Sequence, residues 1–193
     1  MRLRNKLTAL AAPICLALFV GCQQPAQDMQ SMKPPPRPAE LDRLNPWIGT
    51  WNGTGQMTMY TKEGPQQMNV SYSERIEWVA GNRFVQARSD MNMGEGETMQ
   101  MTAIFGWDSD RKTFKVWEFM SNGDVSTMEM EYDEDDGHWE MEGRGKHFMT
   151  REPTQSEGTM KMVDNNTIEW QFTMWDGWKF KKLMEGKGTS KRQ

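Results

Sequence analysis

Five methionine pairs share one spacing along the chain: Met57/Met59, Met91/Met93, Met99/Met101, Met128/Met130 and Met160/Met162. A thioether is a soft ligand that suits Cu(I). On a β-strand, a spacing of two puts both sulfurs on one face. One chemistry open to these residues is therefore Cu(I) binding, with Met99, Met101 and His147 as the candidate ligand set. Methionine also fills irregular interiors and adaptable binding surfaces without any metal. Five separate pairs read first as the lining of an interior, with the metal site as the alternative.

Glu74 sits on the apolar face of its segment, between Tyr72 and Ile76. A buried carboxylate is costly unless it is paired. Arg88, on the next segment, is the candidate partner. The two would form a structural pair or a clamp for the carboxylate of a fatty-acid-like ligand. His147 falls in phase with Trp139 and Met141 and could hold haem iron or a metal, act as a base, or sit as a satisfied core or rim histidine. His138 stands beside an acidic turn and is expected to be exposed. That turn, Asp133 to Gly137, lacks the alternating ligands and terminal glutamate of an EF-hand loop. It reads as a solvated hairpin turn. No nucleophile elbow, phosphate-cradling glycine loop, zinc-binding HExxH or cysteine pair is present. A binding protein rather than an enzyme is expected, without a resident cofactor; haem or Cu(I) is the alternative.

Strands must position these residues. Turn-forming clusters recur every ten or so residues from position 80 onwards, separated by runs of period-2 alternation. The pattern predicts ten strands, at about 50–60, 67–79, 83–93, 98–108, 113–121, 125–133, 138–149, 155–163, 167–175 and 178–187. Such regular hairpins predict an all-β fold, an antiparallel up-and-down barrel that closes to remove its edges. A short helical turn at "AELDRLNPWIG", stopped near Pro46, precedes it. One face can be assigned to most strands. In the first it is Trp51, Gly53, Gly55, Met57 and Met59, the glycines allowing strong bending or close approach of a ligand. In the second it is Met68, Val70, Tyr72, Glu74, Ile76 and Trp78. The fourth contributes Met99, Met101, Ala103, Phe105 and Trp107, and the ninth Ile168, Trp170, Phe172 and Met174. In the third strand, Phe84, Gln86 and Arg88 oppose Val85, Ala87 and Met91, and either face could be inner. The fifth is equally ambiguous.

The stretches "LNPWIGTWNGTGQM", "ERIEWVAGNRFVQ" and "GWDSDRKTFKVW" resemble family 1579 of the bacterial domains of unknown function, a calycin-like group. The resemblance rests on Gly49/Trp51, on Gly81 with Arg83/Phe84, and on Gly106/Trp107/Asp108. It covers most of residues 41–188 and implies a lipocalin-like barrel without a settled activity. The opening G-x-W-x-G-x-G is also similar to nitrobindin-like haem-binding barrels, which carry an iron-ligating histidine towards the C-terminal end. This chain has His138 and His147 and no histidine in its last two strands, so haem stays an alternative.

The N-terminal segment reads separately. Arg2, Arg4 and Lys6 precede the uncharged run Leu7 to Val20, too short to span a bilayer comfortably and typical of a secretory leader. "LFVGC" resembles the lipobox of bacterial lipoproteins, which implies lipidation of Cys22. Gln23, rather than aspartate, then points to the outer membrane, facing the periplasm. The expected organisation is a signal peptide at 1–21, a lipidated cysteine and proline-rich tether at 22–38, and a barrel at 39–193. Losing residues 1–21 removes three cationic side chains and no acidic ones, taking the formal net charge from −4 to −7. Nucleic acid is a poor partner for so acidic a chain. The expected partners are the membrane, through the lipid, and a small hydrophobic molecule. Trp51, Met57, Met59, Tyr72, Trp78, Met101 and Trp170 would line its site, with Glu74 and Arg88 supplying polarity. A packed, ligand-free structural lipoprotein is the other reading.

Overall fold

The computed structural model describes residues 35–94, 98–147, 150–178 and 180–193. The leader, Cys22 and most of the tether lie outside the described residues. Ten antiparallel strands run β1 (Gly49–Thr61), β2 (Gly64–Val79), β3 (Phe84–Asn92), β4 (Thr98–Asp108), β5 (Thr113–Met120), β6 (Val125–Asp133), β7 (His138–Lys146), β8 (Pro153–Asp164), β9 (Thr167–Asp176) and β10 (Lys182–Arg192). Each pairs with its neighbours in sequence, and β10 pairs with β1 to close the barrel. Closure leaves no exposed sheet edge.

The alternation expected for β1, β2, β4 and β9 is the alternation observed, with Trp51, Met57, Val70, Ile76, Phe105 and Ile168 buried on the inner face. The ambiguous strands resolve one way. Val85, Ala87, Ser89 and Met91 face inward on β3, and Phe114, Val116, Glu118 and Met120 on β5. Arg88 is therefore on the outer face, exposed and opposite Arg75.

Two expected boundaries move. The N-terminal helix is a 3-10 helix that runs through Pro46, from Ala39 to Trp47. Its period of three suits Leu41, Leu44 and Trp47, which share one buried face. The last strand starts four residues later than expected and ends at Arg192. Trp178 and Phe180 precede the strand, and the glycine-rich tail closes the barrel instead, pairing Trp51 with Arg192.

The helix plugs one end of the barrel. Trp47 makes edge contacts with Phe105 and Trp139, with ring centroids 5.7 and 5.2 Å apart. Trp139 in turn meets Phe114 and Tyr132. Such aromatic contacts add about 0.5–1.5 kcal/mol each beyond area burial. Arg192 ties the last strand to this plug: its guanidinium donates to the carbonyls of Ile48 and Pro46 and lies 4.2 Å from the Trp51 ring centroid. A second packed cluster, around Met57, Met59, Val70 and Met184, sits nearer the other end, on β1, β2 and β10.

Candidate functional site

The two ends of the barrel differ in how well their inner faces are sealed. Near the helix, inward residues such as Trp51, Val85, Phe114, Val116 and Met130 are buried. Towards the opposite end, Tyr72, Glu74, Met91, Met99, Met101, Glu118 and Met120 point inward yet remain half-exposed. Of these, Met91, Met99, Met101 and Met120 belong to neither packed cluster. An inward side chain that solvent still reaches marks an open interior, and this one is walled by β2–β5 on one side. The second cluster, with Trp170, Phe172 and Met174 packed on it, forms the opposite wall.

Two carboxyls stand at the boundary between the open interior and the sealed core. Glu74 accepts a hydrogen bond from Ser89 Oγ at 2.6 Å, its direct partner across β2 and β3. Glu118 accepts one from Ser126 Oγ at 2.5 Å, across β5 and β6. Burial pushes both carboxyls above the usual glutamate range, and the serine bonds only partly offset this; the Glu118 charge raises Glu74 further. Ala87 and Ala103 lie in one row across β3 and β4 between Ile76 and Glu118 and fill little of the space there.

The glycines of β1 and β10 serve the opposite wall. A Cβ on Gly53 would stand 2.0 Å from the Tyr72 ring, and one on Gly188 2.4 Å from the Trp170 ring. The space expected for strand bending or a ligand is thus occupied by two aromatic rings of the chain itself. Tyr72 reaches Ser190 Oγ with its hydroxyl at 2.5 Å, and burial raises its pKa. The Trp170 indole N–H is buried and, although it lies close enough to Tyr72 to bias that hydroxyl, makes no hydrogen bond.

The structure divides the residues expected to form one site. Tyr72, Glu74, Met101 and Trp170 face the open interior. Met57 and Met59 face the same half but are buried in the second cluster. Trp51 and Trp78 lie at the plugged end, where their indole nitrogens donate to Trp47 O and Asn45 Oδ1. Arg88 is corrected to the outer wall, so the Glu74–Arg88 clamp does not form; β3 simply presents Ser89 inward instead. Met99 and Met101 are on β4, whereas His147 follows β7 and is buried in the rim, where Nδ1 accepts the Thr150 N–H. Burial lowers the His147 pKa. Glu118, Ser89, Ser126 and Met120 were not singled out by the sequence, whereas Met91 was, as a member of the Met91/Met93 pair. The signal available was parity: once Phe114 and Val116 are placed inside, Glu118 must follow.

The methionine pairs are spread around the interior, four of them on β1, β4, β6 and β8 and the fifth split between Met91 on β3 and Met93 just past its end, as a lining is. The rim is braced where Arg151 forms an ion pair with the buried Asp124. Trp178, Phe180, Phe119 and Val125 stand exposed at this end. At the plugged end, Asp133, Asp136 and His138 bring ligand atoms within 4.8 Å of one another, the one such group of histidine, cysteine or acidic residues among the described residues. His138 is half-buried rather than exposed, because it opens β7 opposite Asp133. Asp133 Oδ1 already accepts the N–H groups of Asp135 and Asp136, the bonds of a hairpin turn. A concavity of about 710 Å³ on the outer wall is lined by outward polar residues such as Gln56, Gln171 and Lys187 and is distinct from the interior.

Against this geometry, the family model "Protein of unknown function (DUF1579)" matches residues 38–189, from just before the helix almost to the end of β10. The chain belongs to the DUF1579 family. No curated protein matches this DUF1579 chain significantly. Among solved structures, Rv2717c from M. tuberculosis is similar in fold, with a TM-score of 0.59 at 12% identity, covering 82% of this chain and 99% of that one. The S-type phycobiliprotein lyase CPES from Guillardia theta has a TM-score of 0.56 at 12% identity, covering 81% and 94%. At such identities the likeness is one of fold alone.

Proposed function

We propose that this DUF1579 protein is an envelope-tethered binding protein that takes a small, largely apolar molecule into the open half of its barrel. The observation that carries this reading is the half-exposed inner face at Met91, Met99, Met101 and Met120, beside a core that is sealed at the other end. Concave apolar interiors with a few placed polar groups are the usual form of a ligand site. Methionine suits one that must adapt to its contents, being unbranched and polarisable. The exposed aromatics at the rim give an apolar molecule a first contact on its way in.

The tether is part of the proposal. Removal of residues 1–21 and lipidation of Cys22 would leave the chain anchored to the bacterial envelope, at the outer membrane facing the periplasm. The polar, proline-rich composition of residues 22–38 suits a tether between that lipid and the barrel.

Native mass spectrometry of the full-length protein, released gently from its membrane, tests both parts. Bound mass that is lost on denaturation, together with a lipid modification on the Cys22 peptide, is expected. Bare protein that also fails to take up a neutral apolar fluorophore would overturn the binding reading. An unmodified Cys22 would overturn the anchor.

A further inference from the structure

The polar groups of the open interior are unevenly matched. Glu74 uses Oε1 for Ser89 and Glu118 uses Oε2 for Ser126. The second oxygen of each has no hydrogen-bond partner among the described residues, and neither is a fully buried orphan atom, so both face accessible space. No ion pair among the described residues involves either carboxylate. By strand parity, among the described residues the one arginine or lysine side chain on the inner face of a strand is Arg192, which is committed to the carbonyls of Ile48 and Pro46 at the plugged end. Arg88, Arg75 and Lys115 are all on the outer wall. On the facing wall, the Trp170 indole N–H is a buried donor without a hydrogen bond.

Deep carboxyls that lack a counter-charge are costly in a protein built only to be stable. Here two of them are held by a serine each, with one oxygen left free and aimed at an interior that solvent can reach. We propose that the open half of the barrel selects an apolar molecule carrying a cationic or N–H-donating head, which is seated between Glu74 and Glu118. The apolar body lies against Met91, Met99, Met101 and Met120. A cationic head relieves the repulsion between the carboxylates and satisfies their free oxygens with charge-assisted hydrogen bonds. An anionic head meets two carboxyls there and, among the described strand residues of the open half, no inward arginine or lysine. The inference rests on the binding reading above and narrows it to one ligand class, opposite in charge to a fatty acid.

The test uses the full-length protein and N-phenyl-1-naphthylamine, a neutral fluorophore, as reporter. Dodecylammonium, dodecanol and dodecanoate then compete for it; the three share one chain length and differ in head group. Dodecylammonium is expected to displace the reporter at a concentration roughly tenfold below dodecanol, one charge-assisted bond being sufficient for that factor. Dodecanoate is expected to be the weakest. Glu74→Gln and Glu118→Gln should each erase most of the preference for dodecylammonium over dodecanol, read as the ratio of their competing concentrations within each variant. Arg88→Met should change none of the three. Equal competition by all three, or a preference for dodecanoate, would overturn the charge selection while leaving the binding reading in place. A reporter that does not bind at all would overturn the binding reading, and this inference with it. The wild-type ranking decides the matter even if a glutamine variant folds poorly, which its melting temperature would reveal.

Discussion

Gly53 and Tyr72 occupy one volume: a Cβ on the glycine would lie 2.0 Å from Tyr72 Cζ. The two residues are direct partners across β1 and β2, and the ring lies flat over the glycine with its hydroxyl on Ser190. Gly53→Ala should therefore destabilise the barrel by about 1–3 kcal/mol, the usual cost of overpacking, despite alanine's better fit to a strand. In a Tyr72→Ala background the same change should cost little. Chemical denaturation of the four proteins of this cycle measures the coupling.

Trp51 and Met101 should separate stability from binding. Trp51 is fully buried, donates to Trp47 O and carries Arg192 on its face. Trp51→Ala should cost about 3–5 kcal/mol, as large aromatic truncations in cores do. Met101 is half-exposed and lies outside both packed clusters. Met101→Ala should cost only about 1 kcal/mol of stability, yet weaken uptake of a neutral fluorophore several-fold. Thermal melts and fluorescence titrations of the two variants distinguish the roles.

The Arg88 side chain is exposed on the outer wall, opposite Arg75, with like charges facing one another. Arg88→Met should change stability by no more than about 0.5 kcal/mol and leave ligand uptake unaltered. A loss of either would put the arginine back inside.

The two interior carboxyls set a pH dependence with a definite sign. Both have folded-state pKa values raised above the ordinary glutamate value of 4.5. The folded chain then holds these protons more tightly than the unfolded chain does. Their contribution favours folding below about pH 4.5 and is lost as the pH rises from there through the raised values. The Glu74→Gln/Glu118→Gln double variant removes this liability. Its stability should match wild type in acid and exceed it increasingly towards neutral pH. Urea titrations across that range measure the difference, and subtracting the two proteins cancels the opposing effect of Asp108, Asp133 and Asp164, whose pKa values are lowered by hydrogen bonds.

Much of the barrel is legible in the sequence because a half-buried strand repeats every two residues. Trp51, Met57, Val70, Phe105 and Ile168 all fall where alternation puts them. Legibility ends where a strand has apolar residues on both faces. On β3, Phe84 competes with Val85, and the side chain of Phe84 is drawn outward over Gly106. That one choice of parity moved Arg88 out and Ser89 in. On β5, the same ambiguity hid Glu118. The last strand was misplaced for another reason. Lys182–Arg192 has the composition of a tail, and its pairing is enforced by distant partners: β1 needs a neighbour, and Gly186 and Gly188 make room for Phe172 and Trp170. Trp51 and Trp78 looked like lining because sequence alternation reports inside and outside, not which end of a barrel a residue occupies.

The most direct test of an open, ligand-holding half is photolabelling of the full-length protein with a neutral alkyl diazirine, mapped by peptide mass spectrometry. Saturable labelling on β2 to β5, at Tyr72, Met91, Met99, Met101 and Met120, and competed by dodecanol, is the predicted result. Labelling confined to the outer wall and the exposed Trp178 and Phe180, with none inside, would contradict it.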